Sequence, residues 1–163
     1  MYTYKIIEDV ADFESVDLDG LIDGSWEQLR KHFKFPKNLR KVAEKKAWFK
    51  DLIIRETAFD YTLCWVFSED GHDISLNLGR VKGDTITYQI GLVTSDKNGS
   101  RAFMYGPDFA AAGKEIRAER GIKIIESRQF VEGTFRNFFK VRFAETETIN
   151  KGDGTETFVG TES

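Results

Sequence analysis

Gly106-Pro107-Asp108 opens a helix-forming stretch that ends at Gly121, and Ile122-Lys-Ile-Ile125 follows it directly. Proline suits the first position of a helix, where its missing N–H would have no partner, and glycine suits the position just after the last turn. Isoleucine is enriched in strands, so the residues after Gly121 indicate a short buried strand. The stretch therefore predicts a helix that leads straight into a strand.

An alternating pattern precedes this helix and ends near Val93. Apolar or aromatic side chains recur at every second position from Ile86 to Leu92, which is the period of a strand with one buried face. Strand, helix and strand in succession predict a parallel pair joined by a right-handed crossover. We therefore expect a mixed sheet in which Thr85–Val93 lies beside Ile122–Ile125 and parallel to it.

The segments on either side of this unit predict further strands and helices. Before it, alternation predicts an antiparallel meander of three strands, with turns at 69–71 and 82–84. Ser25 and Asn38 are candidate N-caps of two earlier helices, one on each side of Pro36. The remaining expected elements are strands at Tyr2–Ile7, Ala144–Ile149 and Glu156–Gly160 and a helix at Thr134–Lys140.

Together these elements predict one α/β (α+β) domain over residues 1–163, in the order β-α-α-β-β-β-α-β-α-β-β. The sheet is expected to be mostly antiparallel, with helices flanking it. A chain of 163 residues fits a single domain, because compact domains cluster at about 100–150 residues. No repeat or linker divides it.

Composition excludes several classes of function. The formal charge of -3 gives no overall basic field for nucleic acid, and no apolar run is long enough for a membrane span. Cys64 is the only cysteine, and with His32 and His72 as the only histidines no Cys/His metal cluster is expected. The lone cysteine and the absence of a signal-peptide pattern predict a buried thiol and a cytoplasmic protein.

A basic run extends over the first two predicted helices of this acidic chain and is interleaved with aromatic residues. Its simplest interpretation is a solvated helical face whose aromatic side chains point into the core. The alternative is a local contact with a polyanion. The run comprises Arg30, Lys31, Lys34, Lys37, Arg40, Lys41, Lys45 and Lys46.

The order of elements resembles the GNAT superfamily of N-acetyltransferases from end to end, most sharply between Ile86 and Glu145. A nuclear-transport-factor-like domain is the alternative fold, but it lacks a helix between parallel strands. In the GNAT superfamily the fourth strand splays from the fifth, and its backbone binds the pantetheine arm of acetyl-CoA. The resemblance implies that Leu92 and Val93 take this role here.

The superfamily also binds the coenzyme's pyrophosphate in a loop with the pattern Gln/Arg-x-x-Gly-x-Gly/Ala. The resemblance implies that this loop is formed here by Lys97, Asn98, Gly99, Ser100, Arg101 and Ala102. Ser100 replaces the first glycine, and residues 96–99 also read as an ordinary turn. The amides that follow Pro107 are the alternative phosphate site, because the start of a helix favours an anion.

Two positions depart from the superfamily's pattern. The stretch Phe138-Phe139-Lys-Val-Arg142-Phe143 resembles its Phe-Tyr segment, but the tyrosine that often protonates the coenzyme thiolate is Phe139 here. An asparagine that often contacts the coenzyme falls near Glu132. Phenylalanine cannot donate a proton, so either another residue does so or the fold is kept for binding.

Amine acylation needs a base, and Glu126 at the end of its predicted strand is the first candidate, with Tyr88 as the alternative acid. A solvated carboxylate and a half-buried sheet aromatic are the plain structural interpretations of the two residues. The implied function is transfer of an acetyl group from acetyl-CoA to a small-molecule or protein amine, without a metal.

The alternative function is a non-catalytic GNAT-fold binding or structural protein. Leu92-Val-Thr-Ser-Asp96 resembles small bacteriophage proteins of this fold. A second copy of the chain, or a viral or host protein, is a further expected partner.

Overall fold

The computed structural model describes residues 2–94, 107–130, 143–150 and 155–162. Its elements are β1 (Tyr2–Ile7), a 3-10 helix (Val10–Ser15), α1 (Leu18–Gly24), α2 (Trp26–His32), α3 (Val42–Thr57), β2 (Thr62–Glu69), β3 (His72–Lys82), β4 (Thr85–Val93), α4 (Pro107–Glu119), β5 (Ile124–Phe130), β6 (Phe143–Asn150) and β7 (Thr155–Glu162). The expected helix at Thr134–Lys140, together with Glu132 and Phe139, lies outside the described residues.

The strands form one seven-stranded sheet in the order β1-β2-β3-β4-β5-β7-β6. β4 and β5 are parallel, from the pair Thr85 and Ile124 to the pair Tyr88 and Ser127. β7 is antiparallel to both of its neighbours, and β1 is antiparallel to β2. The mixed, mostly antiparallel sheet predicted from the sequence is therefore confirmed, as is the parallel pairing across α4.

Strand β5 begins and ends later than the predicted strand Ile122–Ile125. The N–H of Ile122 donates to the carbonyl of Arg117 at 3.0 Å and so closes the end of α4. Gly121, with a φ of 67°, makes the turn that this closure needs. The next two N–H groups donate to the carbonyl of Asp84, and the ladder starts at Ile124.

The chain divides into two compact units. Unit 1 comprises residues 1–78 and 90–100, and unit 2 comprises residues 79–89 and 101–163. The single domain expected over residues 1–163 stays a prediction. None of the described helices has the length and apolar composition that crossing a membrane requires.

Unit 1 has a core built from α1, α3 and the inner face of its strands. Phe49 and Ile53 of α3 are fully buried in it, beside Val66 of β2 and Leu76 of β3. Cys64 belongs to the same core, as predicted. Several partly buried aromatic rings pack on its edge: Phe13, Trp26, Phe33, Phe35 and Trp48.

Helix α1 was not expected, because 17–24 reads as a loop rich in aspartate and glycine. The helix forms because the Asp17 side chain accepts a hydrogen bond from the N–H of Gly20. Leu18, Leu21 and Ile22 then bury one face of it. A single capped apolar face thus outweighs the low helix propensity of the glycines.

Of the two predicted N-caps, Ser25 takes that position and Asn38 does not. Ser25 is the N-cap residue of α2, but its side chain accepts no hydrogen bond from the helix N–H groups, and its hydroxyl donates to the carbonyl of Val93 at 3.1 Å. Asn38 lies before the start of α3, whose N-cap is Lys41. In Ser25 a tertiary hydrogen bond has replaced the local one.

Unit 2 places α4 against the face of the sheet that carries Ile86 and Ile125. Ala112 and Ile116 of α4 are buried, and so are Ile86, Ile125 and Phe158. Gly79 of β3 permits a close approach here, since a Cβ atom at this position would lie 2.9 Å from Ile86 Cγ1.

Candidate functional site

The parallel pair β4 and β5 holds both residues that the sequence singles out for chemistry. Tyr88 is the last residue of β4 that pairs with β5, and Glu126 is the third residue of β5. Paired residues of neighbouring strands point to the same side, and side chains alternate along a strand. Glu126 pairs with Thr87 rather than with Tyr88, so Glu126 and Tyr88 lie on opposite faces of the sheet.

Glu126 lies within a strand rather than at its end, since β5 continues to Phe130. Thr87 donates from its hydroxyl to one carboxylate oxygen of Glu126 at 3.0 Å. The side chain is half-buried. The carboxylate therefore has a fixed orientation and can still accept a proton at its second oxygen.

Tyr88 belongs to a partly buried polar cluster that the sequence did not reveal. Arg117 of α4 donates from Nη1 to the Tyr88 hydroxyl at 3.0 Å, and its Nε donates to Oε1 of Glu162 at 2.5 Å. A second, longer hydrogen bond joins Arg117 Nη2 to the other oxygen of Glu162 at 3.4 Å. The guanidinium also lies 5.1 Å from the ring centre of Phe143. We call these four residues the arginine cluster.

The charge of Arg117 is retained in spite of its burial. Burial lowers the pKa of a guanidinium, but the neighbouring Tyr88 and the hydrogen bond and charge of Glu162 outweigh it and raise the pKa of Arg117 above its usual value. Only 8% of the Arg117 side chain is exposed. The cluster thus joins α4 to β4 and β7 through one permanently charged group.

Gly113 provides the space that the guanidinium occupies. It is one helical turn before Arg117, and a Cβ atom there would lie 3.0 Å from Nη1. Gly113, Ile116 and Arg117 lie on the same face of α4 and are all buried. This helical spacing is the feature of the sequence that could have indicated the cluster. It puts Arg117 on the inward face of the helix, where a charged side chain needs a buried partner.

The segments predicted to bind the coenzyme are described in part. Leu92 is fully buried, so only its main chain could contact a ligand, and the carbonyl of Val93 already accepts from Ser25. Residues 97–102 lie outside the described part of the chain. α4 begins at Pro107, as the sequence predicts.

The described residues contain no group of three His, Cys, Asp or Glu side chains that could hold a metal ion. The β4–β5 pair carries a half-buried carboxylate on one face of the sheet, and a phenol with the cation held against it on the other. The carboxylate can accept a proton, the phenol can donate one, and the cation can stabilise a negative charge.

No model of a known protein family and no curated protein sequence matches the chain. Solved structures do match it along almost its whole length. The PaiA N-acetyltransferase of Thermoplasma acidophilum, in complex with coenzyme A, has a TM-score of 0.63 at 10% identity and covers 98% of this chain and 99% of its own.

Two bacterial enzymes give the same result. The ribosomal-protein-S18-alanine N-acetyltransferase of Escherichia coli has a TM-score of 0.61 at 12% identity, over 98% of this chain and 91% of its own. A variant spermidine N-acetyltransferase of Vibrio cholerae has a TM-score of 0.62 at 11% identity, over 98% and 91%. Each of these matches covers 98% of this chain, and this chain has the fold of these N-acetyltransferases, as the resemblance to the GNAT superfamily implies.

Proposed function

We propose that the chain is an acyl-CoA-dependent N-acyltransferase that moves an acetyl group from acetyl-CoA to a primary amine. The observation that carries the proposal is the parallel pair of β4 and β5. Their pairing stops at Tyr88 and Ser127, whereas β4 continues to Val93. Main-chain groups beyond the last pair are available to a ligand that lies along the strand.

The coenzyme has two candidate contact regions. In the proposed complex the main chain at Leu92 and Val93 contacts the pantetheine arm. The pyrophosphate lies against residues 97–102 or against the first N–H groups after Pro107. A helix of 13 residues starts at Pro107, and the first N–H groups of such a helix have no partner within it.

The proposed reaction needs a base for the amine and a place for the coenzyme thiolate to go. The amine nitrogen attacks the thioester carbonyl, the C–S bond breaks, and the coenzyme leaves as a thiolate. Glu126 takes the proton from the amine, directly or through one water, because its carboxylate is oriented by Thr87. Tyr88, the alternative acid, lies on the opposite face of the sheet from Glu126, so when Glu126 is the base the thiolate leaves into water rather than taking a proton from Tyr88.

Coenzyme binding is tested first, with the purified chain. We expect acetyl-CoA to bind at one site in calorimetric titration and to stabilise the fold. At one hundred times the dissociation constant a single-site ligand raises the free energy of unfolding by about 2.7 kcal/mol, which appears as an upward shift in Tm. Adenosine is the matched control, because it lacks the phosphates and the pantetheine arm. A protein that shows no shift with acetyl-CoA lacks the proposed cofactor site.

Catalysis is tested by thiol release with a panel of amines that includes polyamines and a lysine peptide. We expect Glu126→Gln to lower turnover roughly a hundredfold or more, the usual effect of losing a general base. Glu115→Gln is the matched control, since Glu115 is an exposed carboxylate on α4. Full activity of Glu126→Gln would remove Glu126 from the mechanism. Coenzyme binding without turnover of any amine would instead favour a binding role for the fold.

A further inference from the structure

We propose that residues 31–46 form a docking surface for a short acidic and partly apolar peptide segment of a partner protein. We call this surface the basic strip. It contains seven cations and one acid, so its formal charge is +6, and the rest of the chain must carry −9 to give the total of -3. The cations are Lys31, Lys34, Lys37, Arg40, Lys41, Lys45 and Lys46. The proposal concerns unit 1 alone and does not depend on the acyltransferase reaction.

Most of these cations are exposed and have no anionic partner. Lys34, Lys37 and Arg40 are exposed and form no ion pair within the described part of the chain; the same holds for Lys31 and Lys41. Lys46 at the end of the strip pairs with Asp23 at 2.8 Å, and Arg30 next to the strip pairs with Glu27 at 2.6 Å. Between Lys34 and Lys41 the basic strip thus holds positive charge with no ion-pair partner among the described residues.

This arrangement lowers the stability of the helix that it borders. Lys41 is the N-cap of α3 and makes no side-chain hydrogen bond to it, and Arg40 precedes it. The start of a helix carries the positive end of the helix dipole, so a cation there is disfavoured by several tenths of a kcal/mol. Repulsion among neighbouring cations adds to the cost. Violations of local preference are expected at functional surfaces.

The aromatic rings beside the strip argue against single-stranded nucleic acid as the partner. Lys45 lies over the ring of Phe35 with Nζ 5.9 Å from its centre, and Lys46 lies over Trp26 at 5.3 Å. Nonspecific binding of single strands depends on exposed rings on which bases can stack. These two rings are instead covered by lysine side chains.

Charge and exposed apolar surface favour an acidic peptide. A long polyanion would also meet the remainder of the chain, whose formal charge is −9, whereas a short segment would contact the strip alone. Val42 lies among the cations and is 49% exposed. A peptide that alternates acidic and apolar residues satisfies both features.

The test uses fluorescence anisotropy with a labelled peptide of alternating glutamate and leucine. Two further probes are a lysine–leucine peptide and a labelled DNA duplex. The strip variant is Lys34→Glu/Lys37→Glu/Arg40→Glu. Its matched control is Lys82→Glu/Lys114→Glu/Lys123→Glu, which reverses three exposed cations outside the strip. Circular dichroism confirms that each variant is folded.

We expect the glutamate peptide to bind the wild-type chain and the lysine peptide not to bind. The strip variant should bind roughly three- to a hundredfold more weakly, because exposed ion pairs contribute about 0.2–1 kcal/mol each. The control variant should retain wild-type affinity. Val42→Ser, which changes no charge, should also weaken binding.

Three outcomes would overturn the proposal. Tighter binding of the duplex than of the glutamate peptide would make the strip a nucleic-acid surface. An equal loss in the control variant would mean that only net charge matters. No binding of any probe would leave the strip as a solvated face.

Discussion

Arg117 is a buried cation that depends on Glu162 for its compensation. Removing one partner of a buried ion pair is far more costly than replacing both, because the remaining charge stays buried without a partner. Glu162 is 25% exposed whereas Arg117 is 8% exposed, so the arginine is the charge that cannot reach water. The arginine cluster is therefore most sensitive to changes in its carboxylate.

We expect Glu162→Gln to lower the free energy of unfolding by about 3 kcal/mol, the lower end of the range for a broken buried pair. Arg117→Met/Glu162→Gln should cost less than the sum of the two single variants, since it leaves no buried charge. Denaturant unfolding of all four proteins in a double-mutant cycle measures the difference. Additive losses would show that the two side chains stabilise the fold independently.

At the residue scale, the sequence indicates which single residues could take part in chemistry, but it does not indicate which residues lie next to one another in the fold. It marks Tyr88 and Glu126 because their residue types suit proton transfer. It does not reveal that they face opposite sides of the sheet, since that depends on the register between β4 and β5. It does not reveal Glu162 as the partner of Arg117 either, because the two are 45 residues apart.

Strand β3 approaches β4 closely at Gly79. A Cβ atom at this position would lie 2.9 Å from Ile86 Cγ1 and 3.0 Å from the carbonyl oxygen of Thr87. The Thr87 oxygen belongs to the main chain of a paired strand, so it cannot move away as the end of a flexible side chain could. Gly91 of β4 is the matched contrast, because nothing lies within 4 Å of a Cβ atom there.

We expect Gly79→Ala to destabilise the fold by about 1–3 kcal/mol, the usual cost of overpacking. Gly91→Ala should be neutral or slightly stabilising, because alanine reduces the conformational entropy of the unfolded chain. Thermal unfolding of the two variants beside the wild type gives the comparison. Equal effects of the two substitutions would show that the approach of β3 to Ile86 relaxes without cost.

At the element scale, the sequence pattern predicts those helices and strands whose formation depends on residues close together in the chain. Proline, glycine and a helical face define α4, and alternation defines β2, β3 and β4. Helix α1 is missed because its stability comes from the burial of Leu21 and Ile22 rather than from propensity. Ser25 is correctly predicted as the N-cap residue of α2, but its side-chain hydrogen bond is not, because the partner, Val93, lies 68 residues away.

At the scale of the whole molecule, the buried thiol of Cys64 makes the free energy of unfolding depend on pH. Burial raises the pKa of its thiol from 9.0 to about 12. In the unfolded chain the thiol ionises near pH 9 while the folded chain keeps it neutral. Its contribution to stability is therefore fully present below about pH 9 and is lost as the pH rises toward 12.

We expect the free energy of unfolding to fall by about 1.4 kcal/mol between about pH 8 and pH 10 from this thiol alone. Cys64→Ala should lack that part of the decrease, although the cavity makes it less stable at both pH values. Denaturant unfolding of the two proteins at the two pH values separates the effects. If both lose the same amount, the thiol also ionises in the folded state.

The order of the described strands and of α4 along the chain could be predicted from the sequence, but the order of strands in the sheet could not. β7 follows β6 in the sequence and yet pairs with β5 on one side and β6 on the other. Pairing between distant segments leaves no local periodicity to detect. Register and neighbour choice come from tertiary packing.

The place of β7 also has a consequence for refolding from denaturant. β5 ends at Phe130, and the strand that covers its outer edge starts only at Thr155. Until β7 has docked, β5 presents an open strand edge that invites pairing with other chains. Partly folded species of this kind aggregate in a concentration-dependent way, so the yield of soluble protein on refolding should fall as the protein concentration rises.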